Sequence, residues 1–334
     1  MSTQDIERRG SAARSRPGGG LNAFLADYGV LLIMAATFVA FSLLRPDSFL
    51  TLFVVKSILR DCVPLMVAAL GITFVLVMND YDLSVGGLTA LLATTVVLLV
   101  SDSYVGLGTV AGVVLTIAIG GSLAFGSGVL IAYAGLPSFI LTIALGTVFT
   151  GLGLQLTSSR SLYEGIPESY AAIASGTVFG LSNQIFIGLG ILLLCHLFLR
   201  HTEPGRYMYA IGGNPEAARL SGVPVRFLKA LGFGLVGVAA SISAILLTSQ
   251  ANAANPNTGL GLLLPAYAAA FLGSSVFRSG LFTPLGTALA ALYLQVIGSG
   301  LTILNLSGPL IQIIQGGILV GAIGLARLNS GRAK

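Results

Sequence analysis

Long stretches of this chain hold no charged residue, and their lengths limit what it can fold into. Between Asp102 and Arg160 lie 57 consecutive residues without Asp, Glu, Lys or Arg, and 48 such residues lie on each side of Arg278. A helix needs roughly 20 apolar residues to cross the hydrocarbon of a bilayer, and a charge near its centre is costly. Each of these three intervals therefore fits two crossings joined by a turn.

Four shorter charge-free intervals each fit one crossing, which brings the expected number to about ten. Charged residues make up only 9% of the chain and hydrophobic residues 55%, whereas an ordinary soluble domain carries about 25% charged residues. The fold class predicted is an all-α polytopic membrane protein. The four intervals run from Asp27 to Arg45, Asp61 to Asp80, Asp82 to Asp102 and Glu168 to Arg200.

The basic residues predict the orientation of these crossings. With ten crossings and a cytoplasmic N-terminus, 13 of the 17 Lys and Arg residues lie inside, and only Arg45, Lys56, Arg60 and Arg160 lie outside. Cytoplasmic segments of membrane proteins carry such an excess, so both termini are expected in the cytoplasm. The charges are spread over short loops without a basic stripe, which disfavours a nucleic-acid partner.

The sequence predicts one membrane domain between two polar tails. Residues 1–22 predict a disordered cytoplasmic tail, residues 23–328 a single transmembrane domain, and residues 329–334 a second cytoplasmic tail. Lys56, Arg60 and Asp61 predict a helix that lies at, or enters, the outer surface before the second span. The outer segment at 158–184 is long enough for a short surface helix, which either contacts a soluble partner or covers the helix ends.

One polar stretch from Arg200 to Lys229, the polar island, interrupts the apolar sequence near its middle and is expected in the cytoplasm. Within it, Asn214 can cap a helix that has Pro215 at its first position and Glu216 in its first turn, and Gly222 can end that helix. Two turns are too short to be stable alone in water, so the helix must pack against something. That support is either its own domain or a partner protein.

A second polar feature, NDYDLSVGG at residues 79–87, separates the second and third spans. Asp82 or Ser84 can accept hydrogen bonds from free amides at the start of the third helix, where negative charge also suits the helix dipole. Alternatively, Asp80, Asp82 and Ser84 line a translocation path, since irregular backbone at membrane depth is tolerated only beside protein or water. Neither acid has a basic residue within one helical turn of it in the sequence.

Three asparagines follow the seventh span in the stretch SQANAANPNTGLG. Amide side chains both donate and accept hydrogen bonds, so Asn252, Asn255 and Asn257 suit a hydroxylated solute in transit. Asparagine and proline also form turns without any ligand. Both interpretations stay open.

Several of these stretches, in this order, resemble the ribose and simple-sugar branch of bacterial ABC importer permeases. NDYDLSVGG is similar to a motif that follows the second span of that family, with Asn79 and Asp80 in place of a glycine pair. Ser274, Ser275 and Arg278 also replace glycines of the family pattern, which leaves the solute open. The similar stretches are NDYDLSVGG, LPSFILTIALGTVFTGL, PGRYMYAIGGNPEAARLSGV and AYAAAFLGSSVFRSGLFTPLGTALAALYL.

The resemblance implies a type II ABC importer-like fold and a permease subunit for a monosaccharide or sugar-like solute in the bacterial inner membrane. It implies cytoplasmic ATPase subunits, a periplasmic substrate-binding protein, a second permease copy that is identical or homologous, and contact with membrane lipid. No cofactor is expected on this chain, because ATP would be bound by the partner subunit. The residues expected to couple to the ATPase are Asn214, Pro215, Glu216, Ala217, Arg219 and Gly222.

Two other functions remain as alternatives. The chain has no G-x-x-x-x-G-K-[ST] sequence, so it carries no P-loop of its own. An ion-coupled secondary transporter of a small polar solute would place ionisable residues at mid-membrane, whereas His196, His201 and the acids lie near predicted span ends. A membrane-embedded enzyme is disfavoured because no nucleophile and base or metal-ligand set occurs at a useful spacing.

Overall fold

The computed structural model describes residues 21–277 and 280–331, with side chains described at 32–277, 280–318 and 320. Residues 1–20, Arg278, Ser279 and residues 332–334 lie outside the described part, and with them most of the first predicted tail and half of the second. The regular secondary structure of the described residues is helical apart from one two-stranded hairpin. Its longer helices are α1 (Leu21–Leu44), α3 (Leu52–Val77), α4 (Val85–Val100), α5 (Thr109–Ala134), α6 (Ser138–Leu156), α8 (Asn183–His201), α11 (Val225–Ala251), α13 (Pro284–Ile303) and α14 (Gly308–Gly331).

Shorter elements join these helices. They are α2 (Pro46–Phe49), α7 (Glu168–Ser175), β1 (Thr177–Val178), β2 (Leu181–Ser182), α9 (Glu203–Gly213), α10 (Pro215–Leu220), a 3-10 turn at Leu260–Leu262 and α12 (Leu263–Gly273). Six of the described helices, α3, α5, α6, α8, α11 and α13, are long and apolar enough to cross a membrane, and further apolar segments are shorter. Ten crossings therefore remain a prediction.

Helices α3 and α11 form the centre of the bundle, and most of their side chains are buried. Helix α11 packs along α5, α3 and α4. At the crossing of α5 and α11, a Cβ on Gly120 would meet the carbonyl oxygen of Gly237, and a Cβ on Gly237 would meet that of Gly120. The close approach is possible because both residues lack a side chain, as in many membrane helix pairs.

Helix α3 contains a proline, and a side chain from α8 compensates for it. Pro64 has no amide hydrogen, so the carbonyl of Arg60 loses its helical donor. Gln184 at the start of α8 donates from Nε2 to that carbonyl oxygen at 2.8 Å. The helix can therefore continue without a break through Pro64.

The helix expected at Lys56, Arg60 and Asp61, at or entering the outer surface, is the beginning of α3, and it continues without a break into the second predicted span. These residues belong to the first turns of α3, which begins at Leu52. Arg60 Nε pairs with Asp61 Oδ1 at 2.8 Å, and Gln250 Nε2 donates to the same oxygen at 2.9 Å. Pairing reduces the cost of the charges, so the helix extends beyond its apolar part.

The predicted short helix in the segment at 158–184 is confirmed as α7. Tyr170 of α7 is fully buried and shares a 2.5 Å hydrogen bond with Thr248 Oγ1 near the end of α11. A hairpin of β1 and β2 follows, with Phe179 and Gly180 at positive φ in its two-residue turn, as a type I′ turn requires. The segment therefore covers the end of α11.

Candidate functional site

The polar island contains the short helix that its sequence predicts, α10. Asn214 Oδ1 accepts hydrogen bonds from the amides of Glu216 and Ala217, both at 3.0 Å, and Pro215 takes the first position. At the other end, Gly222 has φ +85°, its amide bonds the carbonyl of Arg219, and the amide of Val223 bonds the carbonyl of Ala218. This pair of bonds is a Schellman motif, in which glycine tolerates the left-handed conformation.

One face of α10 is fully exposed. Glu216 and Arg219 form a two-bond ion pair on it, with Arg219 Nη2 at 2.5 Å and Nε at 3.1 Å from the carboxylate oxygens. The hydrogen bonds from Arg219 hold the pKa of Glu216 below its ordinary value. Leu220 beside them is 78% exposed. An exposed ion pair contributes little stability to the fold. The exposed face of α10 therefore presents charged groups and an apolar side chain that the fold of this chain does not require.

The opposite face of α10 packs on its own domain. Ala218 and Val223 are buried in an apolar cluster with Met208 and Ile211 of α9 and with Phe74 at the end of α3. This packing supplies the support that a six-residue helix needs in water. One face of α10 is thus packed on the membrane domain, and its other face is exposed.

Helix α9, which the sequence analysis did not predict, connects α8 to α10. Thr202 caps it by accepting from the amide of Gly205 at 3.2 Å. A Cβ on Gly205 would meet the carbonyl oxygen of Phe198 on α8, and a Cβ on Gly212 would meet the carbonyl oxygen of Val77 on α3. The two glycines therefore let α9 lie directly on the ends of α8 and α3.

The acidic loop, residues 79–84, starts where α3 ends. Asn79 has φ +59°, and the amides of Asn79 and Asp80 bond the carbonyls of Leu76 and Val75. From this position Asn79 Nδ2 donates to the carbonyl oxygen of Gly212 in α9 at 2.5 Å. The end of α3 and the polar island are therefore joined by a side-chain hydrogen bond.

A second link between the acidic loop and the island is an ion pair. Lys229 Nζ lies 2.9 Å from Asp80 Oδ2, and the two side chains are only 24% and 11% exposed. Neither acid has a basic residue within one turn in the sequence, so this partner, in the first turns of α11, was not predicted. The pair gives the charge of Asp80 a structural role that neither alternative from the sequence included.

Asp82 lies in the middle of the acidic loop and stabilises its conformation. It is fully buried, and its Oδ1 accepts from the Ser84 amide at 2.9 Å and from Ser84 Oγ at 2.5 Å. Its own amide donates to Tyr267 Oη of α12 at 2.9 Å, and the next amide donates to Thr142 Oγ1 of α6 at 3.0 Å. The predicted capping of α4 is not found, because Asp82 bonds Ser84, the residue before α4, and no side chain accepts from the first amides of that helix.

The three asparagines lie far from the acidic loop. Asn252 ends α11 at φ +48°, whereas Lys229 lies near the beginning of the same helix. Asn255 Oδ1 accepts from the amide of Asn257 at 2.8 Å, a turn-forming bond, and all three side chains are exposed. The turn-forming role is therefore present, and a role toward a solute stays a prediction.

Together, the apolar helices, the interrupted junction of α3 and α4 and the docked island define a helical membrane protein in which the acidic loop and the polar island meet at one end of the bundle. The family model described as "Branched-chain amino acid transport system / permease component" matches residues 54–323. The chain belongs to this family.

Characterised relatives cover most of the chain. The chain is 29% identical over 308 residues to the D-allose transport system permease protein AlsC of Escherichia coli (strain K12), covering 92% of this chain and 93% of the relative. It is 29% identical to the ribose import permease protein RbsC of the same strain, covering 90% and 94%. It is 30% identical to the autoinducer 2 import system permease protein LsrD of Photorhabdus laumondii, covering 79% and 80%.

A solved structure entitled "An inward-facing conformation of a putative metal-chelate type ABC transporter" aligns with a TM-score of 0.48 and 15% identity, covering 88% of this chain and 98% of that one. Neither fold nor function carries over at that level of similarity.

Proposed function

We propose that this chain is the membrane-spanning permease subunit of an ABC importer for a monosaccharide or a related sugar-like solute. Relatives named as D-allose, ribose and L-arabinose permeases, each 29% identical over at least 90% of this chain, support the proposal. In it, about ten helices cross the bacterial inner membrane and both termini lie in the cytoplasm. The chain is not an enzyme and holds no cofactor, because ATP is bound and hydrolysed on a separate subunit.

The proposed assembly has parts on both sides of the membrane. Cytoplasmic ATPase subunits contact the exposed face of α10, a periplasmic substrate-binding protein delivers the solute, and a second permease copy, surrounded by lipid, completes the pathway. The observation that carries the coupling is the pair of links, Asn79 to Gly212 and Asp80 to Lys229, between the island and the acidic loop. Movement of α10 by the ATPase would thereby reach the junction of α3 and α4.

The proposed pathway uses polar groups at both ends of the bundle. Asp80, Asp82 and Ser84 set the shape of the inner gate, where the irregular backbone between α3 and α4 is surrounded by protein, as irregular backbone at membrane depth requires. Asn252, Asn255 and Asn257 offer exposed amides at the opposite end, where the solute enters.

Replacement of Glu216 by alanine is expected to lower uptake about tenfold or more without reducing the amount of the chain in the membrane, since removal of a charge from a partner contact costs affinity. Gly222→Ala, which strains the left-handed end of α10, should act in the same way. The measurement is ATP-dependent uptake into membrane vesicles, together with ATPase activity of the assembled complex.

A matched control is Glu168→Ala, because Glu168 also lies in the first turn of a short helix but at the other end of the bundle. Uptake should be normal in that variant. Normal uptake and normal stimulation of the ATPase in Glu216→Ala would remove α10 from the coupling role.

A further inference from the structure

A wide groove lies between the end of α8, helix α9 and the beginning of α13. Its volume is about 650 Å³, and its lining includes His196, Arg200, Arg206, Leu199, Leu281 and Leu285. Tyr209 of α9 donates to the carbonyl oxygen of Phe282 at 2.7 Å and joins two of the walls. The groove is therefore lined by basic groups and by an apolar surface that includes Leu281 and Leu285, the apolar floor.

The basic groups of this groove lack a counter-charge within the described residues. Arg200 and Arg206 are exposed and form no ion pair there, and no acidic side chain lines the groove. Among the described residues, the Arg206 side chain makes one long hydrogen bond, from Nη1 to the carbonyl oxygen of His201 at 3.4 Å. Glu203, the nearest acid in sequence, accepts instead from the hydroxyl of Tyr207. A net positive charge is thus left at the groove.

The apolar floor continues along a membrane-crossing helix. Leu189, Leu193 and Leu197 of α8 are 55%, 56% and 43% exposed, and their spacing of four places them on one side of the helix. This leucine stripe leads to Arg200 at the end of the span. In a bilayer it contacts acyl chains, so the groove lies where an acyl region meets the polar boundary.

We propose that the groove binds one anionic phospholipid, with its phosphate on Arg200 and Arg206 and an acyl chain along Leu281, Leu285 and the leucine stripe of α8. Basic pockets between helix ends suit anionic headgroups. The leucine stripe can contact the acyl chain of a lipid, which a free anion does not have. Helix α9 forms one wall and leads into α10, so the lipid also supports the docked position of the polar island. This proposal goes beyond the transport function and does not depend on it.

The test is to purify the full chain in mild detergent with a mixture of phosphatidylglycerol and phosphatidylcholine and to count retained lipids by native mass spectrometry. Phosphatidylglycerol should be retained about tenfold more than phosphatidylcholine, since each basic group near a surface adds attraction for negative charge. Arg200→Gln combined with Arg206→Gln should abolish this preference. Arg45→Gln combined with Arg160→Gln, which removes the same charge elsewhere, should keep it.

A second variant separates binding from folding. Leu281→Glu leaves both arginines in place but puts a charge on the acyl side, so it should also lose phosphatidylglycerol. Retention of phosphatidylglycerol in both groove variants, or equal retention of the two lipids by the unmodified chain, would overturn the proposal. Displacement of the lipid by inorganic phosphate at millimolar concentration would show a free-anion site and overturn it as well.

Discussion

Replacement of Lys229 by alanine is expected to lower uptake at least about tenfold while the chain remains in the membrane. The change leaves the carboxylate of Asp80, only 11% exposed, without its counter-charge. Removal of one partner of a buried ion pair costs up to about 3–5 kcal/mol, and the acidic loop can avoid that cost only by a rearrangement. The loop would then separate from the polar island, and movement of α10 would no longer reach it.

The control for this prediction exchanges the two charges. Asp80→Lys combined with Lys229→Asp restores an ion pair in the same place, so uptake should recover to well above either single variant. The measurement is uptake in cells that contain equal amounts of each variant in the membrane. A double variant as impaired as the sum of its single changes, or normal uptake in Lys229→Ala, would show that the pair does not couple the two elements.

Replacement of Gly212 by alanine is expected to have the second large effect. The added Cβ would meet the carbonyl oxygen of Val77, a backbone atom that cannot move away without α3. Helix α9 must therefore shift, and the 2.5 Å hydrogen bond from Asn79 to the Gly212 carbonyl breaks. Strain from the close contact and loss of this exposed hydrogen bond should together cost about 2–4 kcal/mol, visible as a lower midpoint of thermal unfolding and as lost uptake.

The neighbouring glycine provides the matched control. A Cβ on Gly213 meets nothing within 4 Å, and alanine is favoured over glycine in a helix by about 1 kcal/mol. Gly213→Ala should therefore be neutral or slightly stabilising, with normal uptake. Equal behaviour of the two variants would mean that the contact of α9 with α3 is not required.

Local chemistry explains why the short helix of the island was predictable from the sequence. The bonds of Asn214, the position of Pro215 and the conformation of Gly222 depend on neighbours within a few residues. Such signals can be read without knowledge of the fold. The apolar intervals likewise predict the class of protein, because the thickness of a bilayer fixes the length of a crossing.

Contacts between distant segments were not predictable in the same way. Asp80 lies in the loop after α3 and Lys229 on α11, and only the packing of α3 against α11 brings them together. A signal did exist: the resemblance to simple-sugar permeases implies glycine at the position of Asp80, and an acid added to a buried loop needs a counter-charge. Lys229 is the one lysine between Lys56 and Lys334.

The beginning of α3 shows a related limit. The sequence predicted a helix at Lys56, Arg60 and Asp61, at or entering the outer surface, but not that this helix continues into the second predicted span. The structure pairs Arg60 with Asp61, and Gln250 contacts the same carboxylate. Because these charges are paired with each other, they do not end the helix.

The most direct test of the account is uptake of D-ribose, D-allose and L-arabinose into liposomes, with the purified chain alone and with the complex purified from its own cells. The account predicts uptake of at least one sugar only by the complex, and only with ATP on the side of the polar island. Uptake by the chain alone under a proton or sodium gradient would contradict it and establish an ion-coupled carrier.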